Sequence, residues 1–581
     1  MRRSTVQPGE FRQDRAVLVG RIFAVIGALL TARAVMIHLF PPESKSLTSI
    51  AQQQYQEELA LATSRGNIYD RKKEPLAISV KRPSLVINPK VFRPDRAAIA
   101  MLSRLLRMPS QRIVELTKRD RYFAWLKRKV PEDVARRIVG MNLKGLHQVM
   151  EASRYYPAGG AAAQLIGFVG SDNSGLSGLE RKFDRFLKGP SLTVLRKRDA
   201  LGRPILLEST EAAPATAGND IFLTIDLALQ EIAEKSLAAG IAKAKAKAGF
   251  AIVSDPHTGR ILALANSPRF DPNTERHSID PASANHALMD LFEPGSVLKP
   301  FVIAEAMTQK KTAPDSLHYC ENGMYHEGNW TIHDDHPQKE LTTTDVIVHS
   351  SNICAYKIAK LIGPRGLYEA LLRFGFTANE FAVDVPGQAF GRIAPYATWK
   401  PVRFANIAFG QGLMVTGLEL VQGYGALANG GNLLRPYIVD RIEAIGGEVV
   451  FANATKILRN VIDPEIARKV RLMLREVVER GTGKSALMAE YTSAGKTGTS
   501  EKIDPLTKVY ADDKRIASFI GFAPSEDPYL VIYVMVDEPG VKPYYGGTWA
   551  APVFKEIAEK SLHYMNVAPD RETPLKLAEG H

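Results

Sequence analysis

Apolar residues dominate the stretch from Ala16 to Phe40, broken by Arg21, Arg33 and His38, with a clean centre from Ile22 to Ala32. At about 1.5 Å per residue, such a helix crosses the ~30 Å apolar core of a bilayer, and arginines near its ends reach the headgroups. Arg2, Arg3, Arg12 and Arg15 precede it. That predicts a cytoplasmic N-terminus, with everything beyond about residue 41 outside the cytoplasm. Ala32-Arg33-Ala34 has the small-x-small form of a cleavage site, yet Val35, Met36, Ile37, Leu39 and Phe40 extend the apolar run past it. A retained anchor is therefore expected, and no later stretch approaches a second span.

From 41 to about 215 the pattern breaks up. Short strand-like runs such as Ser84-Leu85-Val86-Ile87 alternate with helical stretches rich in Arg and Lys, and Pro and Gly mark the turns. Ala212 to Gly218 reads as a linker. Beyond it, Ile221 to Ile225 reads as a strand and Leu227 to Lys245 as a helix. Phe250 to Ser254 and Ile261 to Ala265 flank the turn Pro256-His257-Thr258-Gly259 as a hairpin. Near the far end, Ala517 to Phe522 and Tyr529 to Val536 read as two strands joined through Pro524 to Pro528. One antiparallel sheet is thus built from both ends of a domain whose middle is helical, an α+β architecture. The expected plan is a cytoplasmic tail (1–15), an anchor (16–40), an extended pedestal (41–215), a main domain (216–565) and a C-terminal tail (566–581).

Composition changes this picture little. A chain of 581 residues, 45% hydrophobic and 24% charged, is ordinary globular protein of two to four domains. The formal charge of +13 admits anionic partners. There is no zinc-finger spacing and no basic tract interleaved with aromatics, so no nucleic-acid role is expected. Cys320 and Cys354 are too few for a disulfide scaffold. One bridge is open to them in an oxidising compartment, and two free structural thiols are the simpler reading.

Three strings carry candidate chemistry: Ser296-Val297-Leu298-Lys299, Ser350-Ser351-Asn352 and Lys496-Thr497-Gly498-Thr499. Ser296 follows the turn Glu293-Pro294-Gly295 and opens a helical run in which Pro300 fits only the first turn. There the helix dipole and free N–H groups favour an oxyanion. Lys299, one turn on, serves as general base if desolvated. Ser350 can relay a proton to a leaving amine, and Asn352 can hold a substrate amide. The last string reads as an edge strand. Alternation places Thr497 and Thr499 on one face and Lys496 on the other, Gly498 admits a close neighbour, and the hydroxyls and lysine charge suit a carboxylate. Its Thr499 N–H is a second candidate oxyanion donor. Together these groups equip acyl transfer through a serine ester.

Other strings are set aside. Ser493 and Lys496 form a second Ser-x-x-Lys, but it runs into a strand. Gly481 to Ser485 resembles the tail of a phosphate loop, but Val478 stands where glycine is needed and a helical pattern precedes it. His326, His333, Asp334, Asp335 and His336 lack metal-ligand spacing and read as a polar loop, so no metal and no cofactor is expected. Arg65 to Arg71, Arg154 to Pro157 and Gly178 to Arg181 read as turns with charge pairs.

The ordered triple resembles the penicillin-binding proteins, most closely the class B transpeptidases of bacterial division (the FtsI or penicillin-binding protein 3 group). The resemblance extends over nearly the whole chain. It includes the anchor, the three pedestal strings, Gly410 to Thr416, and Asp537-Glu538-Pro539 with Tyr544-Tyr545-Gly546-Gly547. It implies a serine β-lactamase-like transpeptidase domain that cross-links peptidoglycan stem peptides ending in D-Ala-D-Ala and is acylated by β-lactams at Ser296. It further implies an FtsW-type glycosyltransferase and other division proteins as partners, at the septum of the inner membrane. Lys299 would be the base. Ser350 and Asn352 would relay protons and position substrate. Lys496, Thr497, Gly498 and Thr499 would form the carboxylate site. Ser-Val-Leu-Lys departs from the commoner Ser-Thr-Val-Lys, and Cys354 stands just after the Ser-x-Asn. An elongation-type transpeptidase, a D,D-carboxypeptidase or β-lactamase, and a non-enzymatic penicillin-binding sensor or scaffold are the alternatives.

Overall fold

The computed structural model describes residues 10–39, 56–61, 64–120, 122–189, 192–197, 217–274, 281–377, 381–383, 385–503 and 509–571. The predicted linker lies mostly outside them. The first element is the helix Glu10–Leu39, whose stretch Ala16–Met36 is long and apolar enough to cross a membrane and is exposed throughout.

The pedestal is organised by the strand Pro75–Ile87, which pairs antiparallel with Leu146–Tyr155 and with Ala124–Lys127. Its outer half buries Leu85 and Ile87 against Leu102, Ile113 and Ile138 from three short helices. Its inner half joins Ile68–Tyr69, which pairs in parallel with Asp220–Leu223, and that strand pairs with Val439–Glu443. One seven-stranded sheet therefore runs from the pedestal into the region predicted as the main domain.

The three pedestal strings are not separate turns. Arg65 and Arg154, both buried, converge on buried Glu180: Arg65 Nε reaches Oε2 at 2.5 Å and Arg154 Nε reaches Oε1 at 2.6 Å. Arg65 also holds Asp184 at 2.6 Å, and Arg154 donates to the Gly66 carbonyl at 2.6 Å. The charge pairs form between strings far apart in sequence.

The main sheet has five antiparallel strands in the order Ala494–Ile503, Tyr510–Ala523, Leu530–Asp537, Ala248–Ser254, Ile261–Ser267. Its strands come from both ends of the domain, as the sequence predicts, while the predicted strand at Ile221–Ile225 joins the seven-stranded sheet instead. The helices Leu227–Ala244 and Ala551–Tyr564 cover one face, over Ala251, Val253, Ile532 and Val534. The other face, with Phe250, Ile252, Val531 and Tyr533, meets the central helices. Burial on both faces explains why Leu530–Asp537 reads as a continuous apolar run instead of an alternating one.

Among the central helices, Lys299–Thr308 is completely enclosed up to Met307. Phe301 anchors it, edge-on to Phe374, Phe376 and Tyr424 at 4.9–5.4 Å between ring centres. Burial of one such ring contributes about 1.5–3 kcal/mol.

The two thiols are not free, against the simpler expectation. Cys320 and Cys354 form a disulfide, with Cα atoms 5.3 Å apart, within bridging range. The return of a hairpin over the helix Asn352–Arg373 brings them together, and no local pattern carries that information.

Candidate active site

Ser296 lies in a 3₁₀ turn, Gly295–Leu298, and the α-helix begins only at Lys299. Pro300 explains the difference from a plain helix start. It has no N–H to give the Ser296 carbonyl, which accepts the Lys299 N–H instead. The turn is held from three sides. Tyr424 OH donates to the Val297 carbonyl at 2.8 Å, and Gly295 N donates to the Gly410 carbonyl at 2.9 Å. Glu293 accepts from Gly412 N at 2.8 Å and from Tyr510 OH at 3.1 Å. Gly295 has φ +60°, and a methyl built on it would stand 2.8 Å from the Thr499 carbonyl. The strand with the third motif packs directly on the nucleophile's turn.

Lys299 is fully buried. Its Nζ donates to the Ser350 carbonyl, to Ser350 Oγ at 3.2 Å and to Asn352 Oδ1 at 2.8 Å. Those three acceptors match the three protons of an ammonium, so loss of one leaves a lone pair. Burial drives its pKa down to about 7, partly opposed by Asp334 and Asp335. Ser350 sits in the left-handed region at φ +62°, between the helices Thr343–Val348 and Asn352–Arg373. Its hydroxyl also accepts from Lys496 Nζ at 2.9 Å. Lys496 is fully buried too, and desolvation followed by the Lys299 charge pushes its pKa well down. With both lysines donating to one hydroxyl, the Ser350 proton is free to point elsewhere.

Lys496–Thr499 lies on the sheet's edge strand, as expected. Simple alternation put Lys496 away from Thr497. Its long side chain instead wraps round the edge, and Nζ comes within 3.3 Å of Thr497 Oγ1. Thr497 Oγ1 also pairs with Thr482 Oγ1 at 2.8 Å, and Thr499 Oγ1 accepts from Gly546 N at 3.3 Å. A methyl on Gly498 would lie 2.4 Å from Ser518 Oγ and 2.9 Å from Val297 Cγ1, so the glycine permits the close approach. The predicted site residues thus assemble in one place: Lys299 touches Ser350 and Asn352, Ser350 touches Lys496, and Thr499 abuts the turn of Ser296.

Sequence reasoning missed three neighbours. Thr482 belongs to the string set aside as a loop-like decoy. Gly546 follows Tyr545 at the start of a short helix. Asp334, from the polar hairpin, binds the start of the Ser-x-Asn helix. All three arrive through chain returns, which leave no local signal. The rejected Ser493 is buried and donates to the Ala486 carbonyl at 3.0 Å.

The description "Penicillin binding protein transpeptidase domain" matches residues 249–559, and "Penicillin-binding Protein dimerisation domain" matches residues 60–223. The chain is 34% identical over 570 residues to the probable peptidoglycan D,D-transpeptidase PbpC of Pseudomonas aeruginosa, covering 96% of each. It is 32% identical over 577 residues to the peptidoglycan D,D-transpeptidase FtsI of Escherichia coli, covering 96% of this chain and 93% of that one. The crystal structure of penicillin-binding protein 3 of Mycobacterium tuberculosis complexed with aztreonam aligns with TM-score 0.68 at 26% identity, over 89% of this chain and 100% of that chain.

Proposed function

This chain belongs to the penicillin-binding proteins, as a class B peptidoglycan D,D-transpeptidase, and on that premise we propose how its residues divide the work. Ser296 Oγ attacks the carbonyl carbon of the penultimate D-Ala, and its proton passes to neutral Lys299. The N–H groups of Ser296 and Thr499 receive the oxyanion. Collapse breaks the bond to the terminal D-Ala. The departing nitrogen takes the Ser350 proton, which the lysines replace. A second stem peptide's amine then attacks the ester with the proton flow reversed, and the cross-link replaces the Ser296 bond. Asn352 orients the donor peptide. Lys496, Thr497 and Thr499 hold the terminal carboxylate, with Gly498 letting that strand close on the turn. β-Lactams acylate the same hydroxyl.

The observation that carries this reading is the junction at Ser350 Oγ, where both buried lysines meet at 3.2 and 2.9 Å. Buried amines with no carboxylate hydrogen-bonded to them in the described residues suit proton transfer and make a poor structural element. The remaining assignments follow the domain plan above: anchor 16–40, pedestal 41–215, catalytic domain 216–565 outside the cytoplasm, septal synthesis, and an FtsW-type glycosyltransferase with other division proteins as partners. Fluorescent penicillin labelling of wild type and Ser296→Ala tests the chemistry. A stable adduct that vanishes in the variant is expected. Rapid drug turnover would indicate a lactamase, and no Ser296-dependent adduct a scaffold. Depletion in cells should give filaments, whereas rounding would indicate an elongation role.

A further inference from the structure

We propose that Asp334 is a positioning residue for the acyl-transfer reaction: its carboxylate locks the start of the Ser-x-Asn helix so that Ser350 and Asn352 present their oxygens to Lys299. Both carboxylate oxygens are engaged. Oδ2 accepts from Ser351 Oγ at 2.5 Å. Oδ1 accepts from the backbone N–H of Asn352 at 2.6 Å and of Ile353 at 3.0 Å. These are otherwise orphan donors at the N-terminus of the 22-residue element Asn352–Arg373, where an anion is favoured. Ser351 completes the cap by accepting from Cys354 N at 3.0 Å.

The residue beside Asp334 sets the Asn352 amide. Asn352 Nδ2 donates to the His333 carbonyl at 3.1 Å, which turns Oδ1 towards Lys299 at 2.8 Å. A flipped amide would set two donors against the lysine's own. The hairpin carrying His333 and Asp334 is itself pinned. Asp334 N donates to the Gly323 carbonyl at 3.1 Å, and Gly323 N to the Cys320 carbonyl at 3.1 Å. Cys320 is bonded to Cys354 on the helix being positioned. Lys357 holds Glu321 at 2.6 Å, and Lys360 holds Glu327 at 3.3 Å. The hairpin therefore acts as a rigid arm whose tip is Asp334.

The charge has a second consequence. The carboxylates bearing on Lys299 are Asp334 and Asp335 from the hairpin, and Lys496 of the edge strand meets it at the Ser350 hydroxyl. The two carboxylates raise the Lys299 pKa against the effect of burial. Removing the Asp334 charge lets that pKa fall further, so the fraction of neutral lysine increases on the acid side.

The test uses the full-length protein in detergent and measures the rate of acylation by a fluorescent penicillin from acid to alkaline pH, per folded molecule. Asp334→Asn keeps an oxygen for the helix N–H groups and removes the charge. We expect acylation at neutral pH to fall about tenfold, because the helix start loosens, while the acid limb of the profile moves to lower pH. Ser351→Ala keeps the charge and loses two contacts, the hydroxyl's donation to Asp334 and its acceptance from Cys354 N. It should lower the rate about threefold and leave the limb in place. If Asp334→Asn acylates within twofold of wild type with an unmoved limb, the proposal fails. It fails equally if Asp334→Asn and Ser351→Ala only reduce the amount of folded protein. Should Asp334→Asn not fold, a wild-type rate or a shifted acid limb in Ser351→Ala overturns the proposal, and its threefold loss with a fixed limb supports it.

Discussion

Two clusters of buried charge, one in the pedestal and one in the catalytic domain, obey different rules. In the pedestal, Arg65 and Arg154 are compensated by Glu180, with Asp184 beside them. In the catalytic domain, Lys299 and Lys496 share the Ser350 hydroxyl and each donates to a backbone carbonyl of its own, with no carboxylate among their hydrogen-bond partners in the described residues. Burying a charge costs several kcal/mol unless a counter-charge offsets it. The first cluster meets that condition. The second does not, and its amines move towards neutrality, where they can exchange protons. Compensation marks a strut, and its absence marks a reactive site.

The largest effects should separate the two. Lys299→Met removes the base, and acylation by a penicillin should fall about 1,000-fold, equivalent to about 4 kcal/mol of barrier. Its unfolding free energy should change by under about 1 kcal/mol, because relief of the buried amine offsets the lost hydrogen bonds. Glu180→Gln should do the reverse. Two guanidiniums lose their shared counter-charge, and stability should drop by about 3–5 kcal/mol, while acylation per folded molecule stays within about twofold. Denaturant titration and labelling kinetics on the same samples read both. If Lys299→Met unfolds the protein, or Glu180→Gln abolishes acylation in folded molecules, the distinction is lost.

The two clusters were unequally legible. The catalytic triple stands out because each string needs a rare set of residue types in order, and the sheet strands Ala248–Ser254 and Leu530–Asp537 have apolar runs bounded by turns. The pedestal strings showed charges but not partners, since Arg65 and Glu180 are 115 residues apart and meet only through tertiary folding. The same limit hid Asp334, Thr482 and the disulfide. Lys496 was misplaced for another reason: alternation describes Cβ directions, and a four-carbon arm at a sheet edge can reverse them.

Reduction of the Cys320–Cys354 bridge should come next in size. The bridge joins residues 34 apart, and the loop-closure estimate for that separation is about 3–4 kcal/mol. A reductant should lower stability by about that amount, and it should slow acylation severalfold by loosening the hairpin that carries Asp334. The pedestal cluster holds no cysteine and should not respond. Equal acylation rates with and without reductant would detach the hairpin from the chemistry.

Protonation gives a gentler probe. Acylation requires neutral Lys299, so the rate should rise with pH through about 7 and fall about tenfold for each pH unit below it. The stability effect has the same direction. The folded pKa lies below the unfolded value of 10.5, so between about 7 and 10.5 the unfolded chain binds more protons. Stability should therefore rise with pH across that window, and Lys299→Met should flatten the rise. A slope unchanged in the variant would place the titration elsewhere.

The smallest effect tests whether position alone matters at the reactive end. Gly498→Ala adds a methyl that would lie 2.4 Å from Ser518 Oγ and 2.9 Å from Val297 Cγ1. The serine can rotate away, but Val297 adjoins Ser296 and must carry the nucleophile's turn with it. Acylation should fall about tenfold, with stability reduced by about 1–2 kcal/mol. Gly66→Ala in the pedestal makes a harder collision, 2.0 Å from the Asn219 carbonyl. It should cost more stability, about 2–3 kcal/mol, yet leave acylation per folded molecule unchanged. The comparison is informative because the sterically milder substitution is expected to do the greater catalytic damage. That ordering follows only if the edge strand and the serine turn must hold their separation to a fraction of an ångström. A Gly498→Ala enzyme that labels at the wild-type rate would show that the strand grips its carboxylate without fixing the hydroxyl beside it.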